Sequence, residues 1–277
     1  MIYFINKMTI CIGGICNNGK TVILAADSML TNEGLSIEFE HPTKKMTPLG
    51  ERCVALTAGD ALAHTELFDM VQQRIMDQKS PSVVKIVETV KECYQKIRQR
   101  EIRERILMPR GFDDFGDFYE MQRQLHPDIV FQIDNEIARY DYGLQILIGG
   151  ITGGLGHLYG ISDPGTSQCY DAIGFHAIGS GLPHAINTLI ARGFNQYMST
   201  EEALLIIYQA KKFAEKAPGV GSRITDICIL EQERVFELPR DSLDKLRDFY
   251  GKWLREDPSW KDDVTDFLED VRGANAC

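Results

Sequence analysis

The sequence contains no run approaching the roughly 18 apolar residues of a membrane-spanning helix, no CxxC pair and no HxxxH pair. The first absence excludes helical membrane proteins, and the opening MIYFINK is too short and too polar for a secretory signal. The expected compartment is the cytoplasm, with no membrane partner. The other two absences exclude the usual zinc frameworks. Seven scattered cysteines (Cys11, Cys16, Cys53, Cys93, Cys169, Cys228, Cys277) are an odd number, as in a chain that keeps its thiols reduced. Cys11 and Cys16 lie five apart on an expected strand, so alternation puts them on opposite faces. No metal or cofactor is expected. An excess of positive charge is also missing. Thirty Lys and Arg against forty Asp and Glu give a net charge of −10, which argues against a phosphate-binding surface and hence against nucleic acid. The run Gly149-Gly-Ile-Thr-Gly-Gly-Leu-Gly156 has no Gly-Lys-Ser/Thr ending and no helix after it, so it reads as a hairpin turn and not as a phosphate loop.

What is present suits one large core. The 277 residues are 44% hydrophobic and 25% charged, with both signs interspersed and no linker-like stretch. Residues 8–28 hold two apolar, β-rich runs around Asn17-Asn18-Gly19-Lys20, a strong hairpin signal. A further strand pair is expected around Lys44 to Met46 and Cys53 to Thr57. A helical pattern runs from Asp60 through Leu62, Leu67, Met70, Val71 and Ile75. A second helix is expected with Ser80 as N-cap and Pro81 in the first turn. Residues 101–140 are charged and read as a helical or loop insertion on the surface. Strands are expected at Leu144 to Ile151, His157 to Ile161 and Tyr170 to Ile178. Helices follow at Ala185 to Arg192 and after the capping box Ser199-Thr200-Glu201-Glu202, the latter with the stripe Leu204, Ile207, Ala210, Phe213. Strands at Ile227 to Leu230 and Val235 to Leu238 come next, then two amphipathic segments beyond Pro239. The alternation of sheet and paired helices predicts a layered α+β domain. The terminal segments either pack on it or form a subunit contact.

Several of these stretches resemble proteasome β subunits and their bacterial relatives. Thr9-Ile-Cys-Ile-Gly13, then Val22-Ile-Leu-Ala-Ala-Asp27-Ser28 and Thr31, resemble the opening of the mature family chain, where a nucleophilic threonine comes first. Lys44-Lys45-Met46 looks like the catalytic-lysine strand, and Ala58-Gly59 follows at the family's spacing to its oxyanion glycine. Ala177-Ile-Gly-Ser180-Gly181 resembles the family's glycine-serine-glycine motif, and Thr225-Asp-Ile-Cys-Ile229 its late core strand. The likeness runs from about residue 8 to 238, broken by the insertion. It implies an N-terminal nucleophile hydrolase fold, a four-layer αββα sandwich over 9–239, with residues 1–8 as leader and 240–277 as a helical extension.

The resemblance also implies a chemistry. A threonine at the chain start carries its own base, because a free α-amine with a pKa of about 7.7–8.0 accepts the hydroxyl proton near neutrality. Thr9 meets that condition if Met1 to Met8 is a propeptide, or if translation begins at Met8 and that methionine is trimmed. The second route is favoured, since family propeptides usually end in Gly. Lys45 would hold an ammonium beside the Thr9 hydroxyl and Asp27 would pair with it. Gly59 would offer its N–H to the oxyanion, and Ser180 would bond the Thr9 amine and hydroxyl. The family's late acid is not at its place in Glu215-Lys-Ala-Pro-Gly-Val-Gly-Ser222, where Glu215 or Ser222 are the substitutes on offer. Leu30, Thr31, Thr43 and Thr57 would lie near the substrate, their lack of charge favouring a neutral side chain before the cut. Each residue also has an ordinary use: Thr9 in a strand, Lys45 in a surface ion pair, Gly59 and Ser180 in turns.

Three functions follow from the resemblance. The first is a threonine endopeptidase acting on peptides or unfolded proteins inside a homo-oligomeric ring, with an ATP-dependent unfoldase as a possible partner. The second is an inactive structural ring subunit. The third is an amidase acting on a small amide.

Overall fold

The computed structural model describes residues 9–32, 37–40, 44–59, 63–76, 80–222 and 224–274, and of 30–32 and 37–40 the backbone alone. The leader 1–8, the expected helix start at Asp60 and Leu62, Thr43 and Cys277 lie outside them. The chain opens with β1 (Cys11–Cys16) and β2 (Thr21–Asp27). Asn17, Asn18 and Gly19 between them all have positive φ, the conformation the Asn-Gly pair favours. A short hairpin of β3 (Met29–Asn32) and β4 (Ile37–Glu40) follows, an element that the sequence pattern did not reveal. Then come β5 (Met46–Pro48), β6 (Cys53–Gly59), α1 (Ala63–Ile75) and α2 (Val83–Ile102). The N-cap of α2 is Ser82, whose side chain accepts from the Lys85 amide at 3.3 Å. Ser80, the expected cap, has φ +51 instead. The Val83 amide donates to Thr152 Oγ1 at 3.0 Å, so a contact with a distant strand fixes where this helix begins.

Residues 101–140 are helical. The end of α2 runs into a π turn and a 3-10 turn, followed by α3 (Phe115–Met121) and α4 (Pro127–Arg139). Ile102, Ile106, Leu107, Phe112, Phe118 and Ile133 form a small core of this insertion's own. The chain returns with β7 (Leu144–Thr152) and β8 (Leu155–Ser162), hairpin-paired through Gly153 and Gly154. Of the strand expected from Tyr170 to Ile178 only β10 (Phe175–Ile178) forms; Tyr170 to Gly174 is a turn, and the strand before it, β9 (Thr166–Cys169), belongs to the other sheet. Next are α5 (Leu182–Ala191), α6 (Thr200–Ala214), β11 (Thr225–Leu230), β12 (Val235–Glu237), α7 (Leu243–Leu254) and α8 (Ser259–Ala274).

Two five-stranded antiparallel sheets result, ordered β10-β1-β2-β11-β12 and β5-β6-β7-β8-β9, with helices flanking them. Alternation along each strand sorts side chains between two clusters. Cys11, Ile15, Val22 and Leu24 of the first sheet meet Val54, Leu56, Leu147 and Leu158 of the second. The opposite faces of β1 and β2 (Ile12, Cys16, Ile23, Ala25) cluster with Leu204 and Ile207 of α6 and with Leu246, Val264 and Leu268 of α7 and α8. In the second sheet, Ala55, Ile146 and Ile148 cluster with Leu67 and Val71 of α1 and Ile86 and Val90 of α2. Each such Leu or Ile stabilises the fold by about 1.5–3 kcal/mol relative to exposure. The two C-terminal segments therefore pack on the same chain, and Phe213 of the expected α6 stripe is 50% exposed.

Candidate active site

Five separate segments end at one place. Thr9 stands two residues before β1, Asp27 closes β2, Ser180 follows β10 and the loop after α6 leads into β11. The antiparallel register brings these ends together, with Cys11 opposite both Ala26 and Ile178, and Thr225 opposite Asp27. Lys45 arrives from the second sheet, one residue before β5. The Cys11 thiol, donating to the Thr57 carbonyl at 3.4 Å, ties the two sheets at this end.

Asp27 is fully buried, Thr9 is 2% exposed and Lys45 6%. Asp27 Oδ1 accepts from the Thr9 hydroxyl, from Lys45 Nζ at 2.6 Å and from the Ile10 amide at 3.3 Å. Its Oδ2 accepts from the Gly221 amide at 2.6 Å. Lys45 Nζ also donates to Thr9 Oγ1. The hydroxyl thus sits between an ammonium that donates to it and a carboxylate that accepts from it. A carboxylate buried this deeply is tolerated only with paired charge and donors on its oxygens, both of which are present.

Ser180 Oγ accepts from the Thr9 backbone N–H at 3.3 Å and lies 3.4 Å from the Thr9 carbonyl oxygen and 3.3 Å from that of Pro218. The Gly181 amide donates to the Thr9 carbonyl at 3.2 Å. Gly179 has φ +95°, and a Cβ there would stand 2.4 Å from the Thr9 carbonyl oxygen, so only glycine lets the chain pass this close. Gly59 closes β6 opposite Leu144, and Thr57 is buried two residues earlier. The backbone of Leu30 and Thr31 lies in β3, and their side chains are outside the described residues.

The proposed substitutes for the late acid stand one step away. Glu215 Oε1 accepts from Lys211 Nζ at 2.6 Å and from Lys212 at 3.0 Å. Ser222 is exposed, and the contact with Asp27 comes from the backbone of Gly221 beside it. Sequence reasoning missed Lys211 and Gly221. Lys211 follows Leu204 by seven residues and Ile207 by four, which puts a lysine on the apolar face of α6, and that spacing was the available signal.

Burial pushes the Cys11 thiol up to about 12, with Asp27 also raising it and the Lys45 charge working the other way. This neighbour of Thr9 is therefore a protonated thiol at neutral pH and no rival nucleophile. Among the described residues no group of three or more His, Cys, Asp and Glu is placed to hold a metal ion, and no helix is long and apolar enough to cross a membrane.

Compared with known proteins, the chain matches no family model. It is similar to a curated protein of Methanopyrus kandleri, at 31% identity over 106 residues, or 38% of this chain. That relative is a proteasome subunit beta. The chain spans about half its length, 49%. This distant, partial likeness links the chain to the proteasome-like N-terminal nucleophile hydrolases at the level of the superfamily and fixes no family within it.

Proposed function

We propose that the chain is a threonine endopeptidase of the proteasome β-subunit type, with a four-layer αββα domain over 9–239 and Thr9 as its nucleophile. The observation that carries this reading is the buried contact of the Thr9 hydroxyl with Lys45 and Asp27, three residues brought from the ends of separate segments. After loss of residues 1–8 the Thr9 α-amine takes the hydroxyl proton. The Lys45 ammonium favours the oxyanion form of the nucleophile, and Asp27 holds Lys45 in place. The hydroxyl oxygen attacks the peptide carbonyl, the leaving amine takes the proton from the α-ammonium, and water releases the acyl group from Thr9. Gly59 N–H is the donor for the tetrahedral oxyanion, and Ser180 orients the Thr9 nitrogen. Thr57, with Leu30, Thr31 and Thr43, lines the substrate side, and a ring of copies, in the cytoplasm and served by an unfoldase, would enclose the sites.

Intact mass of the natively expressed protein, before and after treatment with a peptide epoxyketone or boronate, tests this. The expected result is a chain beginning at Thr9 that gains one adduct on Thr9, with Thr9→Ala gaining none. A chain that keeps Met1 and takes up no adduct would sink the reading. Hydrolysis of small amides without any cleavage of peptides would replace it with an amidase.

A further inference from the structure

Lys211 is the most heavily buried lysine among the described residues, at 1% exposure in the last turn of α6. A lysine this deep needs partners for its charge. Its ammonium donates to Glu215 Oε1 at 2.6 Å and to the Gly221 carbonyl at 3.0 Å. Gly221 in turn donates its own amide to Asp27 Oδ2 at 2.6 Å. One residue of the loop thus has its N–H on an anion and its C=O on a cation, and is held on both sides. The contacts run from Glu215 through Lys211, Gly221 and Asp27 to Lys45 and Thr9, with the charges alternating in sign.

We propose that Lys211 is a positioning residue, which fixes Asp27 through Gly221 and thereby sets where Lys45 and the Thr9 hydroxyl stand, with Glu215 as its counter-ion. The kinetic consequence rests on the threonine-peptidase reading, whereas the hold on Gly221 does not. The charged groups facing Lys211 are Glu215 and Lys212 at its own helix end and Asp27 across from β2, with Lys45 beyond Asp27. Burial lowers the pKa of Lys211 below that of an ordinary lysine, while Glu215 and Asp27 support its charge and Lys212 opposes it.

Three variants of the full chain decide the matter: Lys211→Met, Glu215→Gln and Lys212→Met. The first strands no charge, because Glu215 keeps Lys212 at 2.7 Å. Two readouts are taken, the NMR shift and hydrogen exchange of the Gly221 amide, and the rate of Thr9 modification by a peptide epoxyketone as a function of pH. In Lys211→Met the Gly221 amide should move upfield and exchange at least about tenfold faster, as a lost hydrogen bond requires. The modification rate should fall by up to about a hundredfold, as when a distant change misplaces a reacting group by about 1 Å, with saturation by the reagent changed less than about twofold.

Glu215→Gln removes the anion that supports the Lys211 charge, so its pKa falls further and the rate should drop as pH rises through it. Lys211→Met should lack that limb, since the ammonium responsible for it is gone. Lys212→Met should match the parent within about twofold in both readouts. An unmoved Gly221 amide in Lys211→Met would overturn the proposal, as would a moved amide with an unchanged rate. Equal damage from Lys212→Met would also overturn it, by showing that general charge at the helix end is what matters. If the parent itself takes up no adduct, the peptidase reading fails, and the Gly221 amide still reports whether Lys211 holds Asp27.

Discussion

His176 stacks flat on Tyr170, with ring centroids 3.7 Å apart and planes within 9°. Burial there drives its pKa down to about 4. Between about 6.5 and that value the unfolded chain binds a proton at this residue and the folded chain does not. Its contribution to stability is therefore intact above pH 6.5 and is lost progressively as pH falls to 4, by on the order of 1–2 kcal/mol once the screening of a partly exposed ring by solvent is allowed for. His176→Phe keeps the stack and removes the titration. Urea unfolding of both proteins from pH 7 to 4 should show a smaller acid loss for the variant, and equal losses would refute the assignment. Residue identity alone had marked Thr9, Asp27 and Lys45 through the resemblance. The contact of the Gly221 amide with Asp27 was not legible in the same way, because a backbone amide carries no signature in the side-chain sequence.

The element best specified by local signals is α6. Ser199 is its N-cap, with its hydroxyl accepting from the Glu202 amide at 3.3 Å, and Glu201 and Glu202 sit in the first turn, where the helix dipole favours acids. Ser199→Ala is expected to destabilise the protein by about 1 kcal/mol, read as a lower denaturation midpoint with unchanged slope. No change would mean that tertiary packing alone sets this helix start. At α2 such local signals were ambiguous. Two serines flank Pro81, and the choice of Ser82 follows from the Val83 amide reaching Thr152 on β7. The same limit explains β9 and β10. The exposed, polar β9 carries no apolar pattern to mark it, and the turn at Tyr170 to Gly174 carries the chain from the edge of one sheet to the edge of the other.

At the scale of the whole molecule, the C-terminal helices are part of the core. Leu246, Val264, Phe267, Leu268 and Val271 share a cluster with α6 and the first sheet. Arg240, just before α7, donates to both oxygens of Asp226 at 2.7 and 2.8 Å, and Asp226 is 3% exposed on β11. A chain ending at Pro239 loses this apolar cover and leaves a buried carboxylate without its cation, a defect that by itself costs about 3–5 kcal/mol. Such a truncation should bind a dye for exposed apolar surface and lose cooperative thermal unfolding. If it unfolds as the parent does, the helices are an appendage, and their apolar faces serve something else.

The sequence by itself determined the order and type of most elements, the tight turn at Asn17 to Gly19, the Ser199 cap and the opposite facing of Cys11 and Cys16. All of these depend on contacts within a few residues or on strand alternation. Tertiary structure alone decided which strand ends converge on Thr9, that Ser82 and not Ser80 starts α2, and that a buried lysine and a glycine backbone stand behind Asp27. Those outcomes depend on groups 10 to 194 residues apart meeting in a space closed to water. There the partner for a charge is chosen by packing, which local pattern does not encode.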